Sequence, residues 1–373
     1  MVMWKAHQKI FLVPILVLLF LTGCGTPHLP DTETAPIFTN ASIPALDEVV
    51  KKHMDELNLP GIAIGIVKAG EPYYAKGYGY ASIKEDKRVA AATTFHTASI
   101  SKVFTALAIM RLRDQGKLRL EQTVEEVLPD LPYANDETRE ITLRQLLNHT
   151  SGLPDVKGYD WSSAKSDEVA LANYFHSILL ENDSSPGTEI QYSNLGYDLL
   201  GLVVAKVSGE SFEDYVEREI LRPAGMSVSD FRYFRLDPEN TAQPYTKNLL
   251  GGVVPQKIYP YNREHAPSST LNASAEDMTR WMADFLRCLP KEASLMEMTR
   301  PSTELGDWIG LGFQRFDVQG KRGIGHFGGD RGFRSYLLML PEEEIGIVVL
   351  GNCDYEEDFR QLIAGGLLQQ LLK

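Results

Sequence analysis

Ser99 and Lys102 stand three residues apart in "HTASISKVFTALAIM", residues 96–110. On a helix, positions i and i+3 share a face, so this hydroxyl and this amine would be neighbours. From Val103 to Met110 the segment carries no charge, and a helix that is apolar all round belongs in a core. A lysine taken into that core loses its solvation, and the outcome is a lowered pKa or a pairing with a purpose. Free N–H groups and the dipole at the start of such a helix favour the oxyanion that forms on an attacked carbonyl. The same positive end pushes Lys102 towards the neutral amine, which can take a proton from Ser99. The chemistry indicated is nucleophilic attack by an activated serine.

Two further segments carry groups that would complete such a site. In "QYSNLGY", Tyr192-Ser193-Asn194 follows the turn Ser185-Pro186-Gly187 and precedes a helical stretch. A tyrosine near a lysine can hold a lowered pKa and shuttle protons, and an asparagine can orient a substrate amide. In "GIGHFGGDRGF", His326 reads as part of a short strand with Gly328 and Gly329 just beyond it. Glycines there let a ligand approach closely and let the strand edge lend a backbone N–H to an oxyanion hole. Each pattern is weak alone. Ser162 and Lys165 repeat the first spacing and Tyr133 and Asn135 the second, both in polar, loop-like stretches. An isolated Tyr-x-Asn is ordinarily a cap or turn, and a lone strand histidine is ordinarily structural.

The elements that must position these groups follow from periodicity. A helix is expected near 44–58, between two prolines, then a hairpin of "GIAIGIVKAG" and "EPYYAKGYGYA". From about 115 to 304 the pattern is mainly helical; beyond it β signal returns in "LGFQRFDV", "RGIGHFG", "FRSYLLMLP" and "IGIVVLGN" before a closing helical stretch. The expected fold is α/β of the α+β kind. One antiparallel sheet is built from the two ends of the chain and flanked by helices, and the helical middle forms a second, inserted lobe. A site would lie between the lobes.

The chain of 373 residues has a formal net charge of −13. Its start differs from the rest: Lys5 and Lys9 precede the apolar run "IFLVPILVLLFL" and then Leu21-Thr22-Gly23-Cys24. That reads as an export signal over 1–23 ending in a lipobox, with Cys24 lipidated and holding the protein to a membrane of the bacterial cell envelope. Residues 24–43, rich in Pro, Thr and small polar residues, read as a tether, and 44–373 as the folded domain. Removing 1–23 leaves 35 basic against 50 acidic residues, a formal charge of about −15, which argues against nucleic-acid partners. Cys288 and Cys353 lack metal-like spacing and read as two buried thiols, with a disulfide between them after export as the alternative. No His/Asp cluster has a metal-ligand spacing, and neither metal nor cofactor is expected.

Taken in order, Ser-x-x-Lys, Tyr-x-Asn and His-x-Gly resemble the signatures of the serine β-lactamase and penicillin-binding-protein superfamily. "LRQLLNHTSGLP" and "YSNLGYDLLGLVVAKVSGESFEDYVEREILRPAGM" resemble its class C β-lactamase-like branch, which includes D-Ala-D-Ala carboxypeptidases, D-aminopeptidases and esterases. The resemblance covers about 44–370. It implies Ser99 as nucleophile, Lys102 and Tyr192 as the proton-transfer network with the resting base unassigned, and Asn194, His326 and Gly328 as substrate contacts. It also implies an oxyanion hole from the N–H groups of Ser99 and Gly329; His149 reads as structural. Phe327 stands where the family often has a hydroxyl that binds a substrate carboxylate, and His326 where it often has lysine. Both departures weigh against an efficient β-lactamase, His326 offering a weaker, pH-dependent charge, with Arg331 or Arg334 as replacements. The expected activity is a serine hydrolase acting on a D-amino-acid peptide or small ester. The alternatives are a β-lactamase and a catalytically weak lipoprotein that binds penicillin or cell-wall fragments.

Overall fold

The run "GIAIGIVK" has no apolar–polar alternation, the mark of a strand covered on both faces. In the computed structural model, which describes residues 42–356 and 358–373, it forms β1 (Gly61–Lys68). The chain turns through Ala69 and Gly70, both at positive φ, and returns as β2 (Glu71–Ser82), followed by β3 (Lys87–Arg88). The C-terminal part supplies β8 (Gln314–Val318), β9 (Lys321–Asp330), β10 (Phe333–Leu340) and β11 (Ile345–Gly351). β1 pairs antiparallel with β11, so the two ends of the chain share a seven-stranded sheet in the order β3-β2-β1-β11-β10-β9-β8. Two short ladders stand apart, β4 (Thr94–His96) with β7 (Asn272–Ser274) and β5 (Tyr245–Lys247) with β6 (Val253–Pro255).

Strand alternation sends β1 into two cores. Ile62, Ile64 and Ile66 pack on α1 (Pro44–Leu57) and the closing helix α6 (Phe359–Leu371), among Leu46, Val50, Ile363 and Leu367. Ala63 and Val67 face α5 (Ala275–Cys288), with Met278 and Met282. Gly65 has no room for a side chain where α5 crosses, since a Cβ there would lie 2.2 Å from Thr279 Oγ1. Cys288 and Cys353 are both buried, one in each core.

The larger core continues into the helical part. α2 (Ser101–Asp114) is buried at every position from 101 to 110. Its Val103, Phe104 and Leu107 share a cluster with Leu199 and Val203 of α3 (Asn194–Ser208). α3 begins at Ser193, whose hydroxyl accepts from Gly196 N, and stops at Gly209 with φ 80°. The short helix α4 (Ala266–Ser269) lies against both. Cys24, the export signal and the tether up to residue 41 fall outside the described residues. Among those described, no helix is long and apolar enough to cross a membrane.

Candidate active site

Ser99 sits on a single 3₁₀ turn, Ala98–Ile100, that runs directly into α2. Ala98 before it has φ 49°, a left-handed backbone unusual for a residue with a Cβ, and such strain clusters at functional sites. The turn is pinned from both sides. Thr97 N donates to Leu271 O at 2.8 Å, and Thr97 O accepts the Ser335 hydroxyl of β10 at 2.7 Å.

Lys102, one helical turn on, is fully buried and its ammonium finds three acceptors. Nζ donates to Ser99 Oγ at 3.0 Å, Asn194 Oδ1 at 2.5 Å and Ser268 O at 2.8 Å. Burial pulls its pKa from 10.5 down to about 8, against the opposing charges of Asp198, Asp155 and Asp330. Tyr192 completes the group, its hydroxyl donating to Ser99 Oγ at 2.9 Å. Its phenol does not have the lowered pKa expected beside a lysine. Burial raises it well above the ordinary value, and Asp155, Asp330 and Asp198 add to this, outweighing the hydrogen bond to Ser99. Burial therefore favours the neutral phenol at Tyr192 and the neutral amine at Lys102.

The loop bearing Tyr192 and Asn194 is fixed by neighbours. Ser193 N donates to His149 Nδ1 at 3.1 Å, Gln191 N to His149 O at 2.8 Å and Asn194 N to Asp155 Oδ1 at 2.9 Å. The His149 ring lies 4.4 Å from that of Tyr192. Burial first, then the Lys102 charge, hold His149 well below 6.5, so Nδ1 stays an acceptor. Behind Lys102, buried Asp198 accepts from Ser268 N at 3.1 Å and lies 2.7 Å from His265 Nδ1. That pair fixes the bend whose Ser268 carbonyl meets Lys102. The sequence reading missed Asp198 and His265, although a lone carboxylate in the apolar run "LGYDLLGLVVAKV" is a signal of the same kind as Lys102.

On β9 the register with β10 decides which side chains face Ser99. Ser335 pairs with Gly328 and Tyr336 with Phe327, so His326 and Gly328 face the serine turn while Phe327 faces away. The His326 ring is 6.2 Å from that of Tyr192. Burial, and then the Lys102 charge, take its pKa from 6.5 to about 3. It is a neutral imidazole and not the pH-dependent cation expected from the sequence; its Nδ1 is 2.6 Å from Phe327 O. The Phe327 ring stacks on Tyr336 at 4.2 Å on the other sheet face, so it does not occupy the place of a substrate-binding hydroxyl. A Cβ on Gly328 would lie 2.2 Å from both Thr97 O and Ser335 Oγ, so this glycine allows the strand to seat on the serine turn. Gly329 is exposed at the rim. Arg331 is exposed, and Arg334 folds back to donate to Asp330 O at 2.8 Å and Phe333 O at 3.0 Å.

Ser99, Lys102, Tyr192, Asn194 and His326 thus converge, whereas the duplicate motifs do not join them. Ser162 and Lys165 are exposed in a loop; Asn135 caps the short helix Asp136–Arg139, and Tyr133 donates to Leu128 O. Among the described residues no group of three or more His, Cys, Asp or Glu side chains is arranged to hold a metal ion.

A family model described as Beta-lactamase matches residues 46–371. Among curated proteins, Protein flp of Staphylococcus aureus is 30% identical over 326 residues, which are 85% of this chain and 64% of that protein. The chain therefore spans a little under two thirds of flp. Penicillin-binding protein 4* of Bacillus subtilis is 29% identical over 316 residues, 79% of this chain and 69% of that one. Among solved structures, an octameric penicillin-binding protein homologue from Pyrococcus abyssi superposes with a TM-score of 0.74 at 28% identity, covering 88% of this chain and 78% of its own.

Proposed function

This chain belongs to the beta-lactamase family, whose members are serine hydrolases, and from that premise we propose that it opens amide or ester bonds through an acyl-enzyme on Ser99. The observation that carries the reading is the double hold on one hydroxyl. Ser99 Oγ lies 3.0 Å from Lys102 Nζ and 2.9 Å from Tyr192 OH, while burial brings the lysine down to about 8. In the proposed reaction neutral Lys102 takes the Ser99 proton as Oγ attacks the carbonyl carbon. The resulting oxyanion sits on the N–H groups of Ser99 and Gly329. Collapse breaks the bond to the leaving amine or alkoxide, which takes a proton from Tyr192. The Lys102 ammonium then returns a proton to the Tyr192 phenolate, leaving both groups as they began. Water then attacks the acyl ester, gives a proton to the same pair, and releases the acid with Ser99 regenerated. Asn194 is proposed to orient the substrate amide, and His326 and Gly328 to line its path.

The proposed substrate is a D-amino-acid peptide or a small ester in preference to a β-lactam. What supports this is the neutral His326, which offers no fixed positive charge to a substrate carboxylate. Two of the relatives named above are called penicillin-binding, which supports a ligand built like a D-amino-acid peptide. Export and lipid attachment at Cys24 belong to the same proposal and are supported by the order of apolar run, small residues and cysteine. The test is turnover of a panel of esters and D-amino-acid peptides by the chain and its Ser99→Ala variant. Loss of turnover in the variant is expected; equal, slow turnover by both would leave a binding protein without the chemistry.

A further inference from the structure

A carboxylate outside this machinery lies where the walls of the site meet. Asp330 is the last residue of β9, next to Gly329, and its side chain is 8% exposed. Its Oδ2 lies 2.9 Å from His96 Nε2 and accepts the Ser269 hydroxyl. His96 ends β4, three residues before Ser99. Ser269 ends α4 and follows Ser268, whose carbonyl accepts from Lys102. One carboxylate therefore joins the turn of the serine, the bend behind the lysine and the strand edge that ends in Gly329.

His96 has nothing else polar to do. Its ring lies 5.7 Å from Phe333, 6.2 Å from Tyr259 and 6.3 Å from Trp161, and among the described residues Nδ1 has no hydrogen-bond partner. Nε2 is thus the protonated nitrogen and donates to Asp330. Burying an imidazole with one nitrogen unsatisfied costs stability that an apolar ring in the same aromatic surroundings would not. What histidine adds at this position is the bond to Asp330.

We propose that Asp330, through His96 and Ser269, is a positioning residue that sets the gap between the backbone N–H groups of Ser99 and Gly329. The inference rests on the reaction proposed above. Donors to an oxyanion act only when aimed at the position it will occupy, and a displacement on the order of 1 Å costs roughly 100-fold in rate. Asp330 and His96 flank that gap, one residue beyond Gly329 and three before Ser99, so loss of their bond removes the side-chain tie between its two sides.

The experiment compares the full chain with Asp330→Ala, Asp330→Asn and His96→Phe by steady-state hydrolysis of p-nitrophenyl acetate and by thermal melting. For Asp330→Ala and His96→Phe, kcat is expected to fall about 100-fold with KM within about threefold. His96→Phe fills the same aromatic surroundings and leaves Asp330 its Ser269 bond, so it is expected to be folded at the assay temperature. Its kcat is read only there, which separates positioning from stability. Asp330→Asn, whose amide oxygen can accept from both partners, is expected to regain kcat to within about fivefold. Parental kcat in a folded His96→Phe protein overturns the inference, as does an Asp330→Asn variant as slow as Asp330→Ala. If Asp330→Ala does not fold, His96→Phe decides. A parent whose turnover survives Ser99→Ala overturns the proposed reaction and this inference together, whereas Ser99-dependent turnover indifferent to His96→Phe overturns the inference alone.

Discussion

Raising the pH from 6 to 9 titrates Lys102 and leaves its neighbours in place, which makes the pH–rate profile a direct reading of the site. With a pKa of about 8, the neutral amine is about 1% of the total at pH 6, half at pH 8 and about 90% at pH 9. In the proposed reaction the neutral amine accepts the serine proton, so kcat/KM for a neutral ester is expected to rise about 90-fold over that range and level off. An ordinary lysine at 10.5 would still be climbing tenfold per pH unit at 9. The displacement from 10.5 to about 8 corresponds to about 3 kcal/mol against the buried ammonium. The sign for stability follows. The unfolded chain binds the proton more tightly, so below about 8 the folded state bears that cost, and it is recovered as the pH rises towards the unfolded value. The other groups facing the amine do not blur the profile: His326 at about 3 is neutral throughout, His149 is held neutral, and Tyr192 stays protonated. The assay is p-nitrophenyl acetate hydrolysis with the Ser99→Ala rate subtracted. A flat profile, or an inflection near 6.5 of the kind an exposed histidine gives, would refute the assignment of Lys102 as resting base.

Other perturbations have equally definite signs. Asp198→Asn removes the foremost carboxylate that raises the Lys102 pKa, so the inflection in the same profile moves to lower pH; a shift to higher pH would contradict the electrostatic account. Gly328→Ala brings a Cβ to 2.2 Å from Thr97 O and Ser335 Oγ, an overpacking cost of about 1–3 kcal/mol, and both melting temperature and ester turnover should fall. On the far face of the sheet, Asp47 accepts from Tyr74, Tyr78 and Lys76 at 2.7, 2.8 and 2.8 Å. Burial alone would raise its carboxyl, but the bonds from Lys76, Ser42, Tyr74 and Tyr78 prevail and hold it well below 3.8. Its contribution to stability is therefore present above pH 4 or so and is lost as the pH falls towards the folded value. Asp47→Asn should cost about 3 kcal/mol at pH 7 in denaturant unfolding, the low end for such a pair because Lys76 is 24% exposed, and much less at pH 2.

Legibility in the sequence followed the range of the signal. α1 and the β1–β2 hairpin could be placed from local pattern, and the sheet made from both chain ends followed from where β signal recurs. The burial of α2 was legible because no charge interrupts 103–110. Side-chain direction on β9 was not. A strand alternates with period two, and only the pairing of Tyr336 with Phe327 and Ser335 with Gly328 decides that Phe327 turns away from Ser99. The raised Tyr192 phenol and the neutral His326 were hidden for a related reason: proximity to Lys102 was readable, the depth of burial was not, and burial is the larger influence on both. Asp198 with His265 and Asp330 with His96 are separated by 67 and 234 residues, and nothing local marks such partners.

The central claim, a covalent acyl-enzyme on Ser99, is tested most directly by intact-mass measurement of the chain quenched in acid during turnover of p-nitrophenyl acetate. The account predicts a species heavier by one acetyl group, mapping to the peptide that contains Ser99, formed faster at pH 9 than at pH 6 and absent from Ser99→Ala. Acetylation that maps elsewhere, or persists in Ser99→Ala alongside undiminished turnover, would contradict it.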